Sequence, residues 1–237
     1  MLMTVHEFSE LAMTAMPTLV RSLQEHTGRY GDGESKAWRS SLQKLAEVLD
    51  DAELEPFHIH FSKQSGDLSL EYRLPASSSW CDVILLGRGS SKPAAIILEL
   101  KHWNVHGDRP GPRPGLVWHK GVLTLHPSDQ VRGYAEYCQR FQSAVQSAEA
   151  DIAGCALFTN SEDISAYVAH PHDELTGAFP VFGSSTDDAA VRFPRFIREH
   201  LNEPDSEFAT AFDHGHYSQD RDFVRCVADA IGTCQRL

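Results

Sequence analysis

Several familiar enzyme signatures are missing from this sequence. No GxxxxGK(S/T) phosphate loop, HExxH zinc pair or GxSxG nucleophile turn occurs in its 237 residues, which removes the enzyme classes built on those motifs. No stretch approaches the roughly 18 uninterrupted apolar residues of a membrane span. The opening MLMTVHEFSE lacks the basic-then-apolar order of a secretory leader, so a cytoplasmic protein with no membrane partner is expected. The five cysteines form no CxxC pair, and reduced, buried thiols are expected in place of a zinc site or disulfide framework. Tandem repeats and low-complexity tracts are absent as well. Positive charge is scarce: 21 Lys and Arg stand against 33 Asp and Glu, a net charge of −12. That balance opposes phosphate binding by the whole surface and leaves room for a local basic path, with bound divalent cations offsetting part of the acidity.

What is present is an ordinary globular chain, 41% hydrophobic and 23% charged, and its length suits one core with terminal elaborations. Residues 6–26 carry a loose helical pattern broken by Pro17, and glycines 28, 31 and 33 follow. Residues 1–33 are therefore expected to be an N-terminal helical appendage. A helix is expected from about Ser35, its N-cap, with Trp38, Leu42, Leu45, Val48 and Leu49 on one face. After Pro56 the period becomes two, and FHIHFSK and LSLEYRLP read as a hairpin. WCDVILLGRG and AAIILELKHW read as two further strands joined by a turn, the second interior to the sheet.

Residues 104–127 read as an insertion containing a hairpin with its turn at His119-Lys120-Gly121. A helix from Ser128 to about Ala148, with Tyr134, Tyr137, Phe141 and Val145 inward, leads to the buried strand IAGCALFTN. VFGSS, the helix FPRFIREHL and a last helix near DFVRCVADAI complete the chain. The order helix, three strands, helix, strand implies an α/β sandwich with a mixed sheet, a core at 34–200 and a helical extension at 201–237.

The informative feature is polar residues inside apolar strands: Asp82 in CDVILL, then Glu99 and Lys101 in ILELKHW. Buried carboxylates are costly unless paired, hydrogen-bonded or bound to metal. A turn centred between Ser90 and Ser91 sets Asp82 opposite Glu99 in an antiparallel pair. Lys101, two residues on, shares their face, while Ile96, Leu98 and Leu100 point to the other. Two oxygen ligands suit Mg²⁺, which keeps several waters, and a nearby lysine can orient an attacking water. The constellation suits phosphodiester hydrolysis. A plain ion-paired patch is the alternative reading.

These residues resemble the PD-(D/E)XK superfamily, in which a hairpin supplies Asp and then Glu-x-Lys; Cys81 stands where proline is usual. Many members carry Gln-x-x-x-Tyr on the following helix, matched by Gln130 and Tyr134. AWRSSLQKL, ILELKHW and HPSDQVRGYAEY together resemble the nuclease-like N-terminal region of bacterial Schlafen-type DNA/RNA helicase proteins. The resemblance spans about residues 35–160. It implies a restriction-endonuclease-like fold and a Mg²⁺- or Mn²⁺-dependent nuclease acting on DNA in preference to RNA, with a helicase partner in cis or in trans. Asp82, Glu99 and the Leu100 carbonyl would hold metal, Lys101 would position water, Gln130 and Tyr134 would shape the site, and Glu47 is a candidate helical acid. The alternative is a catalytically inactive module that binds a helicase or another protein. His102, Lys36 and Arg39 are candidate phosphate contacts. His58 and His60 are read as a solvent-facing strand edge, and His214 and His216 as part of a polar turn.

Overall fold

The computed structural model describes residues 1–27, 32–61, 82–216 and 218. The chain enters as a short strand, β1 (Leu2–Thr4), and turns at once into α1 (Val5–Thr14). Thr4 makes that turn possible: its hydroxyl accepts from the Glu7 N–H at 3.1 Å, and the Glu7 carboxylate accepts from the Thr4 N–H at 2.7 Å. Two otherwise orphaned N–H groups are thereby satisfied. The helix breaks at Ala15, just ahead of Pro17 in α2 (Met16–Thr27), and α3 (Asp32–Val48) follows. α3 begins ahead of Ser35, the residue expected as its N-cap, so Ser35 lies within the helix.

The N-terminal segment is not an appendage. β1 pairs with β2 (His58–His60), and Val5, Phe8, Leu19, Val20 and Leu23 are buried in the same layer as Leu42 and Leu45 of α3 and Leu49 just past its end. A three-residue strand too short to register as a pattern fastens α1 to the sheet. The expected partner strand after β2 falls in residues outside the described ones.

β3 (Val83–Arg88) and β4 (Pro93–Lys101) form the centre. Their antiparallel register runs from Arg88↔Pro93 to Val83↔Leu98, the register expected from the turn. The chain then makes a separate three-stranded antiparallel sheet, β5 (Arg109–Pro110), β6 (Leu116–His119) and β7 (Val122–Leu125). Lys120 and Gly121, both at positive φ, join β6 to β7, the backbone that two-residue hairpins of primed type require. The long helix expected after it is two, α4 (Pro127–Phe141) and α5 (Ser143–Ala148). Gln142 separates them, its side chain accepting from the Ala144 N–H at 2.8 Å.

β8 (Asp151–Phe158) returns parallel to β4, followed by α6 (Ser165–Val168), α7 (Asp173–Ala178), β9 (Val181–Phe182), a π turn at Asp188–Arg192 leading into α8 (Phe193–His200), and α9 (Ser206–Asp213). The last helix expected, near residue 222, lies outside the described residues. The main sheet runs β1-β2-β3-β4-β8-β9, antiparallel through β4 and parallel beyond it, so the fold is a mixed sheet flanked by helices. Val83, Leu85, Ile96 and Leu98 face the layer containing α1, α3 and α8. Ile84, Leu86, Ala95 and Ile97 face α4, α9 and the small sheet. Among the described residues no helix is long and apolar enough to cross a membrane. Cys138 and Cys155 are buried thiols; the other three cysteines lie outside the described residues.

Candidate functional site

Strand alternation decides what shares the α4 face. Ala95 and Ile97 face α4, so Glu99 and Lys101 continue that row while Leu98 and Leu100 turn towards α3. On β3, Ile84 and Leu86 face α4, and the same alternation carried one residue beyond the strand would set Asp82 on the Glu99 side. Ladder pairing ends at Val83↔Leu98, one residue short of Asp82. Freed from the ladder, the Asp82 carboxylate takes over an acceptor's role and receives the Leu100 N–H at 2.9 Å. A residue in an antiparallel pair presents its N–H and C=O to the same neighbour. The Leu100 carbonyl therefore lies on the Asp82 side of β4, and the Lys101 carbonyl, on the opposite side, accepts from the Thr159 N–H at 2.9 Å.

Lys101 Nζ lies 2.5 Å from Glu99 Oε1, with the two side chains 12% and 5% exposed. The pair is thus nearly out of water, and Asp82, half-buried, forms its more open end. Nζ also stands 5.1 Å from the centre of the Trp103 ring, within range of a cation–π attraction. Trp103 stacks on His119, ring centres 4.2 Å apart and planes at 15°. His119 Nδ1 donates to Asp108 Oδ2 at 2.7 Å, and the Tyr167 hydroxyl donates to the same oxygen at 2.7 Å. The Lys120 N–H completes the set on Asp108 Oδ1 at 3.0 Å. Burial pushes the Asp108 carboxyl up, but the hydrogen bonds from His119, Tyr167 and Lys120 outweigh it and hold the group below its ordinary value. Burial and the Asp108 charge raise the Tyr167 phenol.

A chain of contacts therefore ties the small sheet to Lys101. None of Trp103, His119, Asp108 and Tyr167 figures among the residues expected at the site. Trp103 continues the alternation Glu99, Lys101, Trp103 and is legible on that ground alone; the other three are joined only by the fold.

α4 lies over the same face, and Gln130 and Tyr134 fall on it one turn apart. The start of α4 is held at the Lys101 end, since the ring of its cap His126 donates to the Tyr167 carbonyl at 2.9 Å and Tyr167 packs on Phe158, the partner of Lys101. Gln130, half-buried, is therefore the nearer to the carboxylates, while Tyr134 is 5% exposed and packs in the core. Glu47 does not join them: it projects from α3 beneath the opposite face, half-exposed and 3.2 Å from Lys44. His102 also turns to that face, 3.0 Å from the Thr159 hydroxyl, which in turn lies 3.4 Å from Ser41 of α3. Lys36 and Arg39 are exposed on α3.

The histidines of β2 correct another expectation. β2 lies between β1 and β3, and His60 is 8% exposed and 3.1 Å from Asp213 of α9. Among the described residues no cluster of three or more His, Cys, Asp or Glu side chains is arranged to hold a metal. The available donors here are two carboxylates and a backbone carbonyl. Set against family models, curated proteins and solved structures, the chain matches none of them.

Proposed function

We propose that this chain is a metal-dependent nuclease of restriction-endonuclease-like fold that hydrolyses phosphodiester bonds of DNA. What supports the reading is the buried Glu99–Lys101 ion pair at the end of β4, with the Asp82 carboxylate held beside it on the Leu100 N–H. Helix α3, strands β2 to β4, helix α4 and strand β8 follow in the order helix, three strands, helix, strand, with the small sheet inserted before α4.

The donors fit a hard divalent ion. All are oxygens, and Mg²⁺ takes one or two carboxylates and completes its shell with water. Asp82 and Glu99 would hold it, with the Leu100 carbonyl on the same side. Bound there, the ion would supply a water of lowered pKa and neutralise charge on the phosphate. Lys101 would orient the attacking water or stabilise negative charge on the phosphoryl oxygens, and Trp103 would steady its ammonium. Gln130, at the site's edge on α4, would line the approach of the substrate. A helicase in cis or in trans would supply the separated strands.

Because Glu99 serves both Lys101 and the ion, the two roles separate on substitution. Asp82→Asn is expected to abolish cleavage and weaken Mn²⁺ binding measured by calorimetry. Lys101→Met is expected to abolish cleavage while leaving Mn²⁺ binding equal or tighter. Cleavage by both variants at the wild-type rate would overturn the assignment. The competing reading, an inactive module that docks a helicase or other protein, draws on the net charge of −12 and the closed Glu99–Lys101 pair. It expects neither metal binding nor cleavage from the wild type.

A further inference from the structure

The small sheet has two unlike faces. Directly opposed residues of neighbouring strands share a face, and the pairs are Arg109↔Trp118, Trp118↔Leu123 and Leu116↔Leu125 on one side, Val117↔Thr124 and His119↔Val122 on the other. Val117 is fully buried in the core and His119 lies on Trp103, so the second set faces the molecule, although Val122, beside the turn, is 65% exposed. The first set faces outward: Leu123 and Leu125 are 39% and 40% exposed, Arg109 is exposed, and Trp118 and Leu116 are partly so. This outward face joins one tryptophan, three leucines and an arginine on a chain of net charge −12.

Charge sharpens the contrast. Residues 104–127 hold Arg109, Arg113 and Lys120 against a single acid, Asp108, in a chain of net charge −12. Asp108 is turned inward, its side chain 1% exposed and bonded to His119 and Tyr167. All three cations are exposed, and among the described residues none is paired with a carboxylate. The β6–β7 turn joins the two faces: Trp118 points outward, His119 touches the ring beside Lys101, and Lys120 stands at the tip.

We propose that the outer face of the β5–β6–β7 sheet docks single-stranded DNA and feeds it over Lys120 towards Asp82, Glu99 and Lys101. The proposal rests on the nuclease reading for its destination and on this face for its ligand. Unpaired bases have exposed rings to lay on Trp118 and the leucines, whereas a duplex keeps them stacked, and phosphates meet Arg109, Arg113 and Lys120. The choice of DNA is carried over from the nuclease reading, and oligo-U, which differs by its 2′-hydroxyls, is the comparison that tests it.

The test uses the full chain carrying Asp82→Asn, so that the probe survives, and follows the anisotropy of a labelled oligo-dT of about twelve nucleotides. Adding Trp118→Ala should weaken binding about tenfold, and Trp118→Phe should restore most of it. Arg109→Ala with Lys120→Ala should lower the slope of log affinity against log salt by about 1.4. A duplex of equal length should bind more weakly and ignore Trp118→Ala. The proposal is overturned if the alanine and phenylalanine variants both bind as the parent does, or if oligo-U is held more tightly than oligo-dT. It also fails if Trp118→Ala only dissociates a dimer or releases a protein partner. Should wild type cleave DNA while Trp118→Ala binds unchanged, the docking face falls and the nuclease reading stands. Loss of binding with no cleavage by wild type gives the converse.

Discussion

Removing the Lys101 ammonium leaves Glu99 with a carboxylate that is 4% exposed and deprived of the cation 2.5 Å away. From sequence alone, Lys101→Ala reads as a harmless deletion from a crowded polar patch, with only activity affected. The burial of the pair changes that expectation. Breaking a buried ion pair from one side typically costs about 3–5 kcal/mol, whereas replacing both partners by neutral groups of similar shape is often nearly neutral. Lys101→Ala is therefore expected to lower unfolding free energy in urea by several kcal/mol, and Glu99→Gln with Lys101→Met to recover most of it. Equal stability of Lys101→Ala and wild type would mean that water reaches Glu99 in solution. Activity assays on the single variant need this control, because a partly unfolded protein also fails to cleave.

At the scale of elements, the contact between α4 and the sheet depends on Gly154 of β8. A Cβ there would overlap Val131 Cγ1 of α4 and stand 3.1 Å from the Ile97 carbonyl. Overpacking of this kind costs about 1–3 kcal/mol. Gly154→Ala should lower the urea midpoint at constant m-value, and Val131→Ala in the same chain should return part of the loss. A single variant as stable as wild type, or no recovery in the double, would refute the packing argument. The same layer explains how much of the site was legible beforehand. Alternation with period two is a property of the backbone itself, so the row Glu99, Lys101 and its opposition to Asp82 follow from ILELKHW and the position of one turn. Trp103 was equally within reach of that rule. The burial of His60 depends on Asp213, 153 positions away, and the approach of His119 to Trp103 depends on how a separate sheet folds back. Neither leaves a local pattern. Glu47 shows the opposite failure, a residue of suitable type on a suitable helix that the packing of α3 sets beneath the wrong face.

For the whole molecule, acid stability turns on histidines kept neutral by burial. His126 is fully buried, its Nδ1 accepting from the Ser128 N–H at 3.1 Å and its Nε2–H donating to the Tyr167 carbonyl. Burial, and next the charge of His172 with rings 4.4 Å apart, lower its pKa from 6.5 to about 4. Burial likewise lowers His172 and His60. A base whose folded pKa is depressed is bound by protons first in the unfolded chain, so its contribution is complete above pH 6.5 and is lost as pH falls from there towards 4. For His126 alone that loss amounts to roughly 3 kcal/mol. Asp213 acts lower on the scale: the hydrogen bond with His60 holds its carboxyl at about 2, so its contribution is present above the ordinary value of 3.8 and disappears only as pH falls towards 2. Stability measured by urea unfolding should therefore decline in two stages on acidification, the histidine stage between pH 6.5 and 4 and the Asp213 stage beneath it. His126→Asn keeps a side chain able to cap α4 but cannot titrate. It is expected to reduce the slope of the upper stage and leave the lower stage in place. An upper stage of unchanged slope in His126→Asn would show that His126 is not the group whose protonation opens the fold.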